Sequence, residues 1–396
     1  MSASTCLTVL LLIGSVLGQG ASSQEDTLKH IGVFSDVVAR IKSEYVVEPD
    51  MKSVTLGALN GMLEAIDPFA SYLDADQYKD YLKNKDIERA GVGLTIAKGP
   101  GFISVVSVLP GSPAAKAGFS TYDRIETIKG TSTRDMPLAY ASLLLEGDPG
   151  AEVELSVVRA RAPEPQTLKL IRVNLASPPV DSSMLAGQVG YINIDALDGA
   201  QVAQTADAVQ KLQKDGAQKL ILDLRGCAMG SPQDGVALAN LFLNKGLITY
   251  LQGQRVPRQD TNADPAKAIT SLPMAVLINR GTASGAEIAA AALLDNKRAQ
   301  GVGERTYGDA AQRKAIEMED GGAIILSVAK YHSPNGQAIQ DTGVTPAIAA
   351  ADAEPEIEFD ENGEPLPTAQ PPLAEQPKTT DDPVVKKALE ALAAKA

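Results

Sequence analysis

Ser284 lies in the run Asn279-Arg280-Gly281-Thr282-Ala283-Ser284-Gly285-Ala286-Glu287, whose residue types and spacing suit the display of one hydroxyl. The apolar stretch from Met274 to Ile278 ends at a glycine turn and passes at once into alanine-rich sequence from Glu287 to Leu294. A buried strand, a tight turn and a helix in that order put the serine at a corner, with helix N–H groups aimed past it. Such a corner presents a nucleophile, and N–H groups at a helix start can stabilise an oxyanion. The same letters carry a second meaning. Ser284 with Glu287 three positions on is also a capping box, which satisfies orphan donors at a helix start and does no chemistry. Spacing leaves both open.

The elements around this corner alternate. Val189 to Ile194, Lys219 to Leu224, Leu247 to Leu251 and Met274 to Ile278 read as strands, with helices expected near 198–213 and 234–243 and in the segment after Ser284. That succession predicts an α/β core over residues 180–350 with a mainly parallel sheet. Ahead of it, residues 24–87 have a helical pattern, with Ile31, Phe34, Val37 and Ile41 recurring at threes and fours, and a second helical piece from Ala75 to Lys85. A small bundle and a dimerisation arm fit that pattern equally.

Residues 88–175 change character. Gly91–Ile96, Phe102–Val108 and Ala151–Val158 read as strands bounded by Gly and Pro. Between them lie Pro110-Gly-Ser-Pro-Ala-Ala-Lys-Ala-Gly118 and Asp123-Arg-Ile-Glu-Thr-Ile-Lys-Gly130, and with these the segment resembles a PDZ domain of the bacterial protease type. The resemblance makes Gly91, Val92, Gly93 and Leu94 the carboxylate-binding loop. Backbone N–H groups of a glycine turn can hold a terminal carboxylate while a sheet edge takes the peptide as an added strand. Tyr122 stands where the family usually has glycine, a change expected to affect only a turn.

Bulk composition narrows the classes. A chain of 396 residues with 44% hydrophobic content predicts two or three domains with real cores, aliphatic ones given 4% aromatics and no Trp. A net charge of −13 argues against nucleic acid as partner. Residues 7–17 are apolar for one signal-peptide h-region, with small residues near 20, so residues 1–20 are expected to be a cleaved export signal that delivers the chain to the periplasm or outside the cell. The n-region has no Lys or Arg, and a short membrane anchor is the alternative. Once the signal is cleaved Cys227 is the single cysteine, so no internal disulfide is expected. His30 and His332 with that cysteine form no ligand set, so neither metal nor cofactor is expected. Residues 351–380, rich in Pro and acids, read as a disordered linker, and 381–396 as a capped amphipathic helix that can dock back.

With the PDZ segment placed, the chain resembles the carboxyl-terminal processing (tail-specific) peptidases. The match runs from about residue 28 to 350 through Asn60 to Tyr72, Val189 to Ile194, Leu222-Asp-Leu-Arg-Gly226, Asn279 to Asp295, Gly303 to Gly308 and Tyr331 to Gln340. That family pairs a serine with a desolvated, neutral lysine as base. The resemblance makes Ser284 the nucleophile and puts the lysine position at Thr306-Tyr307-Gly308-Asp309-Ala310, where this chain has Asp309. Arg313 replaces the supporting glutamine, and the loop usually written G-N-P-G-G is Gly226-Cys227-Ala228-Met229-Gly230. Gly285 and Met229 are the implied oxyanion N–H donors.

An aspartate side chain titrates near ~3.9 in general, so its anion is a feeble base and adds negative charge where an oxyanion must form. Impaired catalysis is therefore expected, with Asp309 and Arg313 forming an ion pair that shapes the loop. Lys314, Lys297 or Lys330 as a displaced base, His332 as base and Cys227 as nucleophile are the weighed alternatives. The expected partners are protein or peptide C-termini, with a homo-oligomer or active relatives as further candidates.

Overall fold

The computed structural model describes residues 28–84, 90–99, 101–159, 162–352 and 381–394. The expected signal at 1–20 and all but the first two residues of the expected linker lie outside the described residues. The chain divides into two compact units between Leu59 and Asn60. In the first, α1 (residues 28–44) precedes α2 (Met51–Glu64), most of which belongs to this unit. The α1 periodicity does form a helix, but its Leu28, Ile31, Phe34 and Val37 stay largely exposed.

The second unit begins with a departure from the helical expectation for 24–87. Residues Ser71–Leu73 form β1, followed by α3 (Ala75–Asn84). Every residue from Phe69 to Leu73 is buried. An apolar run this short, directly after Asp67-Pro68, fits a strand better than a helix.

The PDZ-like segment contains β2 (Leu94–Gly99), β3 (Phe102–Val108), α4 (Pro113–Lys116), β4 (Arg124–Ile128), β5 (Thr131–Ser132), α5 (Leu138–Leu145), β6 (Glu152–Arg159) and β7 (Ala162–Ile171). They form an antiparallel sheet in the order β2-β3-β4-β6-β7, with β5 on β4, and Ile103, Ile125, Ile128 and Leu155 at its centre. The strand expected from Gly91 starts only at Leu94. Gly93 has φ +81°, and a Cβ there would lie 2.2 Å from the Ser112 Cβ, so the chain turns at this glycine before extending. Tyr122 keeps the left-handed conformation that glycine favours, at φ +75°. Its ring lies under the Arg280 guanidinium at 5.9 Å.

The α/β core runs through β8 (Asp181–Leu185), β9 (Val189–Asn193), α6 (Gly199–Lys214), β10 (Lys219–Asp223), α7 (Pro232–Asn240), β11 (Leu247–Gln252), β12 (Gln259–Asn262), β13 (Met274–Ile278), α8 (Gly285–Asp295), β14 (Ala299–Gly303), β15 (Ala311–Glu317), β16 (Ala323–His332), β17 (Ile348–Ala349) and α9 (Pro383–Ala393). Its six-stranded sheet has the order β17-β14-β13-β10-β9-β8, parallel except for β8. Leu220, Leu222, Val276 and Ile278 join the core beneath α6, α7 and α8, whereas Ile221, Ala275 and Leu277 face Val384, Val385, Ala388 and Leu392 of α9. Both faces are covered, and for that reason β10 and β13 are apolar without alternation.

One strand departs from the expected core sheet. β11 joins an antiparallel sheet of order β1-β16-β11-β12, with β15 also on β16. Its sequence resembles a core strand because Ile248, Thr249 and Tyr250 are all buried.

Candidate active site

Three loops converge beyond the carboxyl ends of β10, β13 and β14, where open parallel sheets of this kind place their ligands. They are residues 224–231, 279–284 and 304–310.

Ser284 occupies the corner before α8 with φ 55° and ψ −125°, a conformation rare for a residue bearing a Cβ. Its N–H donates to Glu287 Oε2 at 3.1 Å, so the carboxylate half of the capping arrangement is present. Its Oγ instead donates to the Gly230 carbonyl at 2.7 Å. The next residue must be glycine. A Cβ at Gly285 would stand 2.3 Å from the Ser231 carbonyl, and one at Gly235 would stand 2.0 Å from the Gly285 carbonyl, so α7 and α8 cross backbone to backbone here. The Gly285 N–H carries no hydrogen bond among the described residues.

Glu287 organises the site. It is fully buried, and its carboxylate accepts from Ser284 N–H, from Thr306 Oγ1 at 2.5 Å, from Gly308 N–H at 2.7 Å and from Asp309 N–H at 2.8 Å. Ser284 and Asp309 share one oxygen, Oε2, which fixes the two loops to each other. Burial pushes this carboxyl up to about 7, against the pull of the hydrogen bonds from Thr306, Asp309 and Gly308. The spacing after Ser284 pointed to Glu287 as a cap. Its reach to Thr306 and Asp309 had no local signal, because those residues arrive from another strand.

Asp309 accepts from Arg313 Nη2 at 2.6 Å. The Arg313 guanidinium lies 4.3 Å above the Phe69 ring, and Phe69 meets Tyr307 edge-on at 5.4 Å. The expected ion pair is thus formed and rests on an aromatic floor. Ala310 N–H, next in sequence, donates to Gln340 Oε1 at 2.8 Å.

On the opposite wall the Met229 carbonyl accepts from Leu197 N–H at 2.8 Å, and Met229 is 38% exposed. Gly230 has φ +147°, and a Cβ there would lie 2.5 Å from the Leu197 carbonyl. Gly230 turns a carbonyl toward Ser284 Oγ. A carbonyl oxygen has the wrong sign to stabilise a developing oxyanion. Asn279 ties this wall to the serine turn, its Oδ1 accepting from Gly226 N–H at 3.0 Å and Gly281 N–H at 2.9 Å.

The four PDZ loop residues are only partly available. Gly91 exchanges both backbone hydrogen bonds with Val173 at 3.0 Å. The carbonyls of Val92 and Gly93 accept from Ala114 and Leu109, while the Val92 and Gly93 N–H groups carry no hydrogen bond among the described residues. Gly91 therefore supports the loop from behind and is not a free donor. β2 forms one end of its sheet, so its outer edge is unpaired among the described strands.

The family model for PDZ domains matches residues 104–159, and that for peptidase family S41 matches residues 188–350. The carboxy-terminal processing protease CtpA of Bacillus subtilis is 32% identical over 338 residues, covering 85% of this chain and 72% of that protein. The carboxyl-terminal-processing protease of Synechocystis is 33% identical over 314 residues, covering 77% and 73%. The chain belongs to the carboxyl-terminal processing peptidases of family S41. A solved photosystem II D1 C-terminal processing protease superposes with a TM-score of 0.64 at 29% identity, over 79% of this chain and 85% of that one.

Within this peptidase frame none of the weighed substitutes for a lysine base is well placed. Lys314 is exposed and follows Arg313 on a strand, where consecutive side chains point to opposite faces. Lys297 follows the far end of α8, about 16 Å of helix away from Ser284 at 1.5 Å per residue. Lys330 is paired with Asp341 at 2.7 Å. His332 stacks on Tyr250 with centroids 4.5 Å apart, its Nδ1 3.0 Å from the Lys330 carbonyl. Cys227 is fully buried, and burial pushes its thiol well up, so it holds its proton. No cluster among the described residues suits a metal ion.

Proposed function

We propose that this family member binds the C-terminal tails of other proteins through its PDZ domain and does not cleave them through Ser284. The observation that carries this reading is the carboxylate of Asp309, paired with Arg313, on the loop that Glu287 fastens to the serine. Ser284 there has a main-chain carbonyl as its hydrogen-bond partner, and such an oxygen can hold the hydroxyl but cannot take its proton.

Tail binding rests on the free N–H groups of Val92 and Gly93 beside the β2 edge. Peptides with a free apolar C-terminus should bind, and amidating that terminus should cost ~1.5–3 kcal/mol by removing a charge-assisted contact. Titration calorimetry on the acid and amide pair checks this, and equal affinities would remove the carboxylate from the recognition.

Export through residues 1–20 is part of the same proposal, since the partners would then be proteins outside the cytoplasm. Intact-mass measurement on exported protein should find about the first twenty residues gone. A membrane fraction retaining residues 7–17 would show an anchor instead.

A further inference from the structure

The C-terminal helix α9 meets the candidate site through a single side chain. Asp382 Oδ1 caps α9, accepting from Val384 N–H at 2.8 Å and Val385 N–H at 3.1 Å. Its other oxygen pairs with Arg225 Nη2 at 2.7 Å. Arg225 Nη1 donates to Asp352 Oδ1 at 2.7 Å, and the rest of the guanidinium is held by Asp223, with Nη2–Oδ2 at 2.6 Å. The residues on either side of 353–380 are thereby gathered on one guanidinium. At its far end α9 is held by Lys219 Nζ on the Leu392 carbonyl at 2.9 Å and by Gln300 on the Ala391 carbonyl at 3.2 Å. Between the two ends Val384, Val385, Ala388 and Leu392 are buried on the sheet face. This surface offers a complete helix-binding site, with an apolar floor and a charged or polar partner at each end.

Arg225 also begins the loop opposite Ser284. The next residue, Gly226, donates its N–H to Asn279 Oδ1, and its carbonyl accepts from Ser107 Oγ of β3 at 2.6 Å. The Cys227 carbonyl accepts from Ala283 N–H at 3.0 Å, and the Gly230 carbonyl accepts from Ser284 Oγ. Asp352 reaches the same loop a second way, through Asn279 Nδ2 at 2.7 Å.

We infer that docking of the C-terminal helix orders the loop beside Ser284, with Arg225 as the positioning residue that links the two. When α9 leaves, Arg225 keeps Asp223 and Asp352 but loses Asp382, and the sheet face opens. Residues 226–230, with the Cys227 side chain they send into the core, then lose a tether while the rest of the core under α6, α7 and α8 keeps its packing. The coupling is independent of whether Ser284 cleaves anything, so it stands apart from the proposed function.

Cys227 reports on this loop directly. In full-length Cys6→Ser protein it is the one remaining thiol, and its reaction with N-ethylmaleimide measures opening of the loop. The intact protein should react slowly. Val385→Asp, which places a charge on the buried face of α9, should raise the rate about tenfold or more, with the weak urea dependence of a local opening. Asp382→Asn keeps a capping oxygen but loses the pairing with Arg225, and it should give a smaller rise. A synthetic peptide of residues 381–394 added to Val385→Asp should restore protection. Equal rates in Val385→Asp and the parent would overturn the inference. So would a faster rate whose urea dependence matches global unfolding, or protection that the peptide fails to restore.

Discussion

Incubated with an unfolded polypeptide, the wild-type protein should release no more product than its Ser284→Ala variant. Loss of the base and its supporting glutamine together costs several orders of magnitude in rate, as knockouts in other serine hydrolases indicate. Three features of the site act in the same direction. Asp309 is a carboxylate already engaged by Arg313, Arg313 is held in that pair, and Gly230 points a carbonyl at the Ser284 hydroxyl. Replacing the aspartate alone would set a lysine against Arg313. The combination Asp309→Lys, Arg313→Gln and Met229→Gly should therefore gain a trace of Ser284-dependent cleavage where Asp309→Lys alone gains none. The gain stays small because a lysine acts as base only when its surroundings lower its pKa, and the surroundings of position 309 here hold a carboxylate–guanidinium pair. Cleavage by the wild type that Ser284→Ala abolishes would refute the non-cleaving reading, and Lys330→Ala would then be the first test of a substitute base.

Glu287→Ala should be the most damaging single substitution at the site. It strands the buried Thr306 hydroxyl and Gly308 N–H and the partly buried Ser284 and Asp309 N–H groups, and a loss of about 3 kcal/mol or more is expected. The wild-type carboxyl also leaves a pH signature. Burial raises it from 4.5 to about 7, so the folded state binds the extra proton between those values. Its contribution to stability is fully present below pH 4.5 and is lost as pH rises through about 7, a change of ~3 kcal/mol. Urea unfolding at pH 5 and pH 8 tests this, because Glu287→Gln cannot titrate. The wild type should lose more stability between the two pH values than Glu287→Gln does, and equal losses would assign the effect to other groups.

Neighbouring residues were enough to read the α/β core, the PDZ segment and the serine corner, and the resemblance to the processing peptidases put Asp309 at the position where that family has lysine. Each of these is written in neighbouring residues: a local hydrophobic period, a glycine the turn requires, or a motif held within a few positions. The Asp309–Arg313 pair belongs here too, since the partners are four residues apart. Tertiary structure alone decided where β1 and β11 pair, because a short buried strand has the same apolar composition in either sheet. It also decided that Gly91 is bound to Val173, that Glu287 joins the Ser284 and Asp309 loops, and that α9 closes the second face of the sheet through Arg225. In all of these a donor meets an acceptor, or an apolar face meets its cover, from a distant part of the chain. Local sequence specifies which groups need a partner, and only the folded chain determines which partner arrives.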